Sequence, residues 1–192
     1  MRKLIFALFY AFIVTQRVVE LGIAKRNEQW ILAKGAKEYG KGHYKYMVSL
    51  HVAFLTCFLL EVILLERTLS PFWPVILTLF IVTQSLRLWA IQSLGRYWNT
   101  KVLILPDASI VKAGPYKFLR HPNYTIVVLE FLLIPLMFHA FYTAVLFTIL
   151  NAWMLSVRIP LEERALADMT ANYASYMGER NRFSPTFQKE SE

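Results

Sequence analysis

The sequence predicts an all-α integral membrane protein with about five transmembrane helices and a C-terminal amphipathic helix on the cytoplasmic side. Hydrophobic residues make up 56% of its 192 residues and charged residues only 18%, whereas ordinary soluble domains carry about 25% charged residues. Its apolar runs approach the roughly 20 residues that a helix needs to cross a bilayer. These runs lie at about 3–22, 46–66, 72–94, 123–138 and 140–158. One membrane domain over residues 1–192 accounts for the whole chain, and its first three helices occupy residues 1–94.

The first run is expected to be a retained helix. Arg2 and Lys3 precede it as in a signal peptide, but no small-residue cleavage site follows, and Gln16 and Arg17 come instead. The second and third runs are ordinary spans with no internal repeat between them. Polar residues within the spans are costly in lipid, so we expect most of them to pair or to face a cavity. They are Arg17, Glu20, His51, Glu61, Gln84, Arg87, Glu130 and His139.

The last two runs flank the sequence FHAF at 138–141, and Pro135 next to it favours a tight helical hairpin. Pro160 is expected to end the fifth span and to begin a separate helix. That helix is predicted to be amphipathic and to lie along the membrane surface, because apolar residues recur in it at helical spacing. They are Leu161, Ala165, Met169, Tyr173 and Tyr176.

Positive charge is concentrated in three segments. Residues 25–45 hold six Lys and Arg residues, residues 95–120 hold five, and residues 158–192 hold five. The positive-inside rule therefore predicts that these segments are cytoplasmic and that the N-terminus is outside. The net charge of +8 points to anionic lipid headgroups and not to nucleic acid, because the cations lie between apolar runs. The single cysteine, Cys57, excludes a disulfide framework and a cysteine-based metal site.

A polar segment, GPYKFLRHPNY at 114–124, stands directly before the fourth run. Gly114 and Pro115 predict a turn, and Pro122 suits the first position of the next helix, which places His121 near its N-cap. With Arg120 beside the free amides of a helix N-terminus, this segment favours an anion.

The second polar segment, SVRIPLEERALADMTANYASYMGERNRF at 156–183, is predicted on the same side of the membrane. Its arginine and tyrosines could be interface residues, and Glu162 and Glu163 could be helix-start acids. The convergence of Arg158, both glutamates and the 114–124 segment on one side favours a functional site.

These two segments together resemble the isoprenylcysteine carboxyl methyltransferase family. The resemblance rests on GPYKFLRHPNY, on Arg158 followed by Glu162, Glu163 and Leu166, and on Tyr173, Tyr176 and Pro185, so it covers about residues 95–185. Two further stretches, NEQWILAKGAKEYGKGHY at 27–44 and SLGRYWNTKVLILP at 93–106, resemble small bacterial members. Those members O-methylate long-chain alkylpyrones and alkylresorcinols made by type III polyketide synthases. Met169 and Thr170 depart from the aromatic residue and glycine common in the family.

The resemblance implies a membrane O-methyltransferase that uses S-adenosylmethionine, with residues 95–185 as its cofactor-binding and catalytic core and its active site on the cytoplasmic side of the cell membrane. A lipophilic small molecule would be the acceptor, and no metal is implied. Arg158 would face the acceptor, and Arg158, Glu162 and Glu163 are the catalytic candidates. The candidates for holding the cofactor are Ile110 and Val111 through their backbone, together with Tyr116, His121, Asn123, Tyr124 and Glu162.

Alternatives remain for the acceptor molecule and for the class of protein. A prenylcysteine carboxylate or a pyrone enol would arrive ionised and need only orientation by Arg158. A resorcinol phenol, with a pKa of about 10, would need Glu163 as a base or Arg158 to lower its pKa. Sterol reductases that use reduced nicotinamide also carry an RHPNY-like stretch, but a Gly-Glu pair commonly follows its tyrosine, whereas Thr125 and Ile126 follow here. A non-enzymatic scaffold gives no reason for the clustering of these polar residues.

Overall fold

The computed structural model describes residues 2–170, 173, 176 and 180–186, and within them the chain folds as a bundle of α-helices. Two short strands and two 3₁₀ turns lie in the connections. The helices are α1 Arg2–Ala33, α2 Lys41–Leu64, α3 Trp73–Leu94, α4 Pro122–Leu136 and α5 Phe141–Met169. The strands are β1 Lys37–Tyr39 and β2 Val102–Ile104, and the 3₁₀ turns are Gly95–Tyr97 and Gly114–Lys117. The predicted all-α membrane class is confirmed.

Four of the five predicted spans, α1, α2, α3 and α5, are long and apolar enough to cross a membrane. The predicted fourth span is shorter, because α4 has 15 residues and is therefore about 22 Å long, less than the roughly 30 Å of the hydrocarbon core. Instead α4 is the central helix of the bundle. Glu130 contacts α1 and α3, Phe131 stacks on Phe54 of α2 at 4.3 Å, and α4 packs against α5.

Polar side chains within the spans pair with one another, as expected. Arg17 and Arg87 both bind Glu130, and both also bind Glu20, at 2.7 and 3.0 Å. Gln84 donates a hydrogen bond to Glu130 at 2.8 Å. This buried charge network joins α1, α3 and α4, and its two arginines and two glutamates balance in charge.

The two ends of the bundle are distinct. At one end, Ser70 N–H bonds to Met137 O at 2.9 Å, and the Glu61 carboxylate accepts hydrogen bonds from the backbone and hydroxyl of Thr143, both at 2.7 Å. The predicted α4–α5 hairpin is confirmed there, with His139 at φ +54° in its turn. Although α4 is short, it thus runs from this end to the other.

At the opposite end, α1 continues 11 residues past the predicted limit of its span, because residues 23–34 contain neither glycine nor proline. This extension holds the connection that follows α3: Asn27 Nδ2 donates to Trp98 O at 2.7 Å, and Asn99 Nδ2 donates to Ala24 O at 2.9 Å. The connections pair as an antiparallel two-stranded sheet, with Glu38 opposite Leu103. The sequence did not predict this sheet, because strands of three residues have no readable periodicity.

The expectation that Pro160 ends the fifth span is wrong, because α5 continues through it to Met169. A proline inside a helix removes one backbone hydrogen bond. Here the packing of the side chains before and after Pro160 compensates for that loss. Leu161 and Ala165, from the predicted amphipathic face, pack on Val102 and Ile104 of the sheet and not on the membrane surface. Beyond Thr170, the predicted amphipathic helix lies outside the described residues except for Tyr173 and Tyr176, which are helical and buried.

Candidate active site

The predicted turn at Gly114 brings the polar segment directly against α3. Gly114 has φ +54°, and a Cβ atom there would lie 1.9 Å from Ser93 Oγ. Only glycine allows this approach without strain. The 3₁₀ turn that follows buries Tyr116 beneath the segment.

His121 stands at the N-cap of α4 and Pro122 at its first position, as predicted. The imidazole does not cap the helix, because its Nε2 lies 3.1 Å from Glu163 Oε1. A contact across 42 residues therefore fixes the start of α4 to the end of α5.

Glu163 is buried and is held by basic side chains. Arg120 Nη1 lies 2.9 Å from Oε1, and Arg182 donates from Nε at 3.0 Å and from Nη2 at 2.5 Å. The hydrogen bond to Glu163 raises the pKa of Arg182. Arg120 N–H also bonds to Asn181 O at 3.0 Å, so residues 180–186 cover the polar segment.

Glu162 has different partners from its neighbour. Tyr124 donates its hydroxyl to Glu162 Oε2 at 2.5 Å. The other oxygen, Oε1, lies 4.0 Å from His121 Nδ1 and accepts no hydrogen bond among the residues that the structure describes. The Glu162 side chain is 28% exposed, so one carboxylate oxygen remains available to a ligand.

Arg158 is buried, with 7% of its surface exposed. Its Nη2 donates to Thr100 O at 2.9 Å, its Nη1 contacts Met47 Sδ at 2.5 Å, and its guanidinium lies 6.0 Å from the centre of the Tyr124 ring. Its Nε has no hydrogen-bond partner among the described residues. Within the described part of the chain, no carboxylate lies within 4 Å of this cation.

Tyrosines line the rest of the site. Asn123 Nδ2 donates to Tyr116 Oη at 2.9 Å, and Tyr176 donates its hydroxyl to Tyr116 O at 2.8 Å. Burial raises the pKa of Tyr116 well above its usual value, and the nearby Glu162 raises it further. Burial likewise raises the pKa of Tyr173. Both phenols are therefore neutral hydrogen-bond donors at physiological pH.

The structure thus brings together Tyr116, His121, Asn123, Tyr124, Arg158, Glu162 and Glu163. Ile110 and Val111 lie half-buried in the extended stretch between β2 and the 114–117 turn. Among the described backbone hydrogen bonds, none involves either residue, which leaves their amides and carbonyls available to a ligand. Their proximity to the other residues stays a prediction.

Three contacting residues were not predicted from the sequence. Met47 and Thr100 hold Arg158 across 111 and 58 positions, and Arg182 holds Glu163 across 19. No local pattern marks residues this far apart, so only the tertiary structure identifies them.

The part of the chain that carries these residues is similar to a known protein family. The family model described as the isoprenylcysteine carboxyl methyltransferase (ICMT) family matches residues 75–168, which include the polar segment, Arg158, Glu162 and Glu163. No solved structure matches the chain.

Two relatives carry the similarity beyond this region. A Bacillus subtilis (strain 168) protein described as uncharacterized protein YpbQ is 44% identical over 163 residues, covering 85% of this chain and 97% of its own. An uncharacterized protein of Haemophilus influenzae is 30% identical over 161 residues, covering 83% of this chain and 94% of its own. The chain is a multi-pass membrane protein that belongs to the isoprenylcysteine carboxyl methyltransferase family.

Proposed function

We propose that this protein is an S-adenosylmethionine-dependent O-methyltransferase whose acceptor is a long-chain alkylpyrone or alkylresorcinol. The family gives the reaction class. The observation that carries the proposal is the buried Arg158 guanidinium, which has no carboxylate partner in the described structure and lies beside Tyr124, itself bonded to Glu162. Such a cation favours an anionic oxygen at the point where methyl transfer would occur.

The residues at the site fit the cofactor by their chemistry. When bound, S-adenosylmethionine supplies an electrophilic methyl group, whose sulfur–carbon bond breaks as the acceptor's oxygen–carbon bond forms, with loss of the positive charge on sulfur. The open oxygen of Glu162 and the Tyr124 ring suit a cation. The N-terminus of α4 suits a carboxylate. His121, Asn123 and Tyr116 would complete this binding surface, together with the backbone of Ile110 and Val111, which makes no hydrogen bond to the described backbone.

The protein's own part in the reaction is positioning. Arg158 is fixed by Thr100 and Met47 and can orient an acceptor oxygen. Burial of this arginine excludes water, which strengthens its attraction for an anion. Because Glu163 is already bound by Arg120 and Arg182, this geometry supports a structural part for Glu163 and favours orientation over proton abstraction.

The choice of a polyketide lipid rests on two stretches of sequence and on their place in the fold. Residues 27–44 and 93–106, which resemble the polyketide-modifying members, contain the paired strands β1 and β2, and Arg158 binds the chain just before β2. Arg158 also stands at the end of the apolar run at 140–158. A head group bound here leaves a long tail in the bilayer.

The test of this proposal is mass spectrometry of the purified protein incubated with labelled S-adenosylmethionine and three lipids: an alkylpyrone, an alkylresorcinol and a prenylcysteine. We expect labelled methyl on the alkylpyrone or the alkylresorcinol. Calorimetry should show binding of S-adenosylmethionine and of its demethylated product but not of reduced nicotinamide. Binding of reduced nicotinamide alone would contradict the proposal. Methyl transfer to the prenylcysteine alone would show that the acceptor is a prenylcysteine and not a polyketide lipid.

Two variants test the cofactor side. His121→Ala and Tyr124→Phe should each weaken cofactor binding about ten-fold, the effect of losing one hydrogen bond to a charged group. Thr125→Ser, which keeps the hydroxyl that bonds to His121 O, is the matched control. Normal cofactor binding by both variants would show that the segment serves only to start α4.

A further inference from the structure

The buried Glu163 carboxylate is contacted by three side chains that can donate hydrogen bonds. Its Oε1 lies 2.9 Å from Arg120 Nη1, 3.0 Å from Arg182 Nε and 3.1 Å from His121 Nε2. Its Oε2 lies 2.5 Å from Arg182 Nη2. An ionised carboxylate can only accept hydrogen bonds, so each of these partners is the donor. The proton of His121 is therefore on Nε2.

The second ring nitrogen of His121 has no such partner. Its Nδ1 lies 4.0 Å from Glu162 Oε1 and makes no hydrogen bond among the described residues. Arg120 and Arg182 already balance the charges of Glu162 and Glu163, so a neutral imidazole leaves this group without net charge. The unprotonated nitrogen of a neutral imidazole is a hydrogen-bond acceptor.

Two acceptors without a described donor thus lie side by side, at His121 Nδ1 and Glu162 Oε1. The His121 side chain is 4% exposed, and a buried acceptor without a donor is costly. A nitrogen placed between the two atoms can lie about 2.9 Å from each, the usual hydrogen-bond length. Their separation of 4.0 Å therefore suits one ammonium group.

Arg182 fixes the orientation of the Glu163 carboxylate. It contacts both oxygens, with Nε on Oε1 and Nη2 on Oε2, whereas Arg120 contacts Oε1 alone. Such a two-pronged contact sets the plane of a carboxylate as well as its distance. Without Arg182, Oε2 would lose its partner among the described residues. The carboxylate could then rotate and carry Oε1 away from His121.

Backbone hydrogen bonds on both sides of Arg182 hold it in place. Before it, Arg120 N–H donates to Asn181 O at 3.0 Å, and after it, Thr186 N–H donates to Phe118 O at 3.0 Å. These two bonds fix this part of the chain to the polar segment. The position of Arg182 is therefore set independently of its contact with Glu163.

We propose that Arg182 is a positioning residue, which acts through Glu163 to keep the proton of His121 on Nε2. Nδ1 of this imidazole and Glu162 Oε1 then accept an ammonium group together. The inference rests on the proposed function, in which this ammonium is the amino group of S-adenosylmethionine. Arg182 lies beyond residues 75–168, which the family model matches, so its part follows from its contacts and not from the family.

A binding comparison on the full chain in detergent tests this arrangement. Calorimetry compares S-adenosylhomocysteine, the demethylated cofactor, with the same molecule lacking its amino group. Wild type should bind the complete molecule about ten-fold more tightly, the effect of one hydrogen bond to a charged group. In Arg182→Ala the two affinities should lie within two-fold of each other. Arg182→Lys, which keeps the charge but not the two-pronged contact, should keep part of the difference.

Arg180→Ala is the matched control for this comparison. It removes an arginine from the same segment, where Arg180 Nε donates to Lys117 O at 2.6 Å. Because this bond does not involve Glu163, the variant should keep the full ten-fold difference between the two molecules.

Nitrogen NMR of protein labelled in its histidines reads the position of the proton without cofactor or turnover. The chain has four histidines, so His121→Gln identifies the signal of His121. In wild type we expect a protonated Nε2 and an unprotonated Nδ1, and in Arg182→Ala a mixture of the two forms. An arginine that only stabilises the fold would lower the melting temperature and leave this signal unchanged.

The two measurements separate the inference from the proposed function. If wild type binds S-adenosylmethionine while Arg182→Ala keeps both the proton position and the ten-fold difference, the inference is overturned and the proposed function stands. If Arg182→Ala changes the proton position but wild type binds no S-adenosyl compound, the positioning by Arg182 stands and the proposed function fails. A wild-type His121 protonated on Nδ1 overturns the inference in either case. Should Arg182→Ala fail to fold, Arg182→Lys gives the same two readouts.

Discussion

Arg158 and Glu162 lie one helical turn apart on α5 and yet contact different parts of the protein. Arg158 reaches Met47 and Thr100, whereas Glu162 accepts a hydrogen bond from Tyr124. They do not form an ion pair with each other in the structure. A division of labour between acceptor and cofactor is therefore possible for two neighbouring side chains.

Substituting each of these two residues separates their roles. Arg158→Ala should slow methyl transfer and leave cofactor affinity nearly intact, whereas Glu162→Ala should also weaken cofactor binding. Each loss should be about ten- to a hundred-fold, since a hydrogen bond to a charged group contributes about 1.5 to 3 kcal/mol. Melting temperature, cofactor affinity and transfer should be measured on both variants. Arg164→Ala, which changes an exposed arginine on the same helix, is the control. Equal losses of all three properties in both variants would contradict separate roles for the two residues.

At the scale of elements, α4 and α5 form the site because the start of α4 lies beside the last turns of α5. Helix α4 begins at His121 and Pro122 after the tight turn at Gly114, and α5 continues through Pro160 to Met169. The continuation places Glu162 and Glu163 beside the start of α4. If α5 ended at Pro160, these two carboxylates would no longer keep their helical spacing from Arg158.

Glycine substitutions test how tightly the 114–117 turn is fixed. Gly114→Ala should lower the stability of the purified protein by more than the roughly 1–2 kcal/mol of a left-handed alanine, because the new Cβ atom would also meet Ser93 Oγ. Gly35→Ala, at φ +91° with open space around it, should cost only the backbone strain. Gly42→Ala, in a helix with no close neighbour, should not destabilise the protein, because alanine has the higher helix propensity. Thermal unfolding in detergent measures all three, and equal effects at 35 and 114 would contradict the close packing on α3.

For the whole molecule, the buried charge network holds the central helix in place. Glu130 on α4 is 1% exposed and binds both Arg17 of α1 and Arg87 of α3. Breaking such a pair leaves buried charge without a partner. The network thereby couples the position of α4, which carries His121 and Tyr124, to the rest of the bundle.

Neutralising Glu130 should therefore unfold the protein far more easily than neutralising a surface acid. We expect Glu130→Gln to destabilise the protein by about 3–5 kcal/mol, measured as thermal or denaturant unfolding in detergent. Glu66→Gln, the same change at an exposed position at the end of α2, should have almost no effect. Equal stability of the two variants would show that the network contributes nothing to the fold.

The arrangement of the bundle also makes a prediction about sidedness. The basic segments 25–45, 95–120 and 160–192 are expected to be cytoplasmic, and the connection between α2 and α3 is expected to be outside. In a Cys57→Ala background, a cysteine at position 112 should react with a membrane-impermeant reagent only after the cells are opened, and one at position 68 should react in intact cells. Labelling of position 112 from outside would overturn this orientation.

The sequence determined the membrane class, the approximate helices and the two polar segments of the candidate site, because these depend on local patterns. Apolar runs mark the spans, and the GPYKFLRHPNY and Arg158–Glu163 motifs mark the polar segments. The turn at Gly114 and the helix start at Pro122 were predicted correctly, because glycine permits and proline fixes particular backbone angles wherever they occur.

Only the tertiary structure decided which residues meet and where α5 ends. The contacts of Arg158 with Met47 and Thr100 join positions far apart in the chain, and no local preference encodes them. Pro160 by itself favours a helix end, but Leu161 packs on β2 and keeps α5 continuous, because packing energy outweighs the loss of one backbone hydrogen bond. A small surface cleft lined by Tyr39, His43, Lys101 and Arg158 forms only where the sheet, α2 and α5 come together, so its shape depends on the fold and not on any one segment of the sequence.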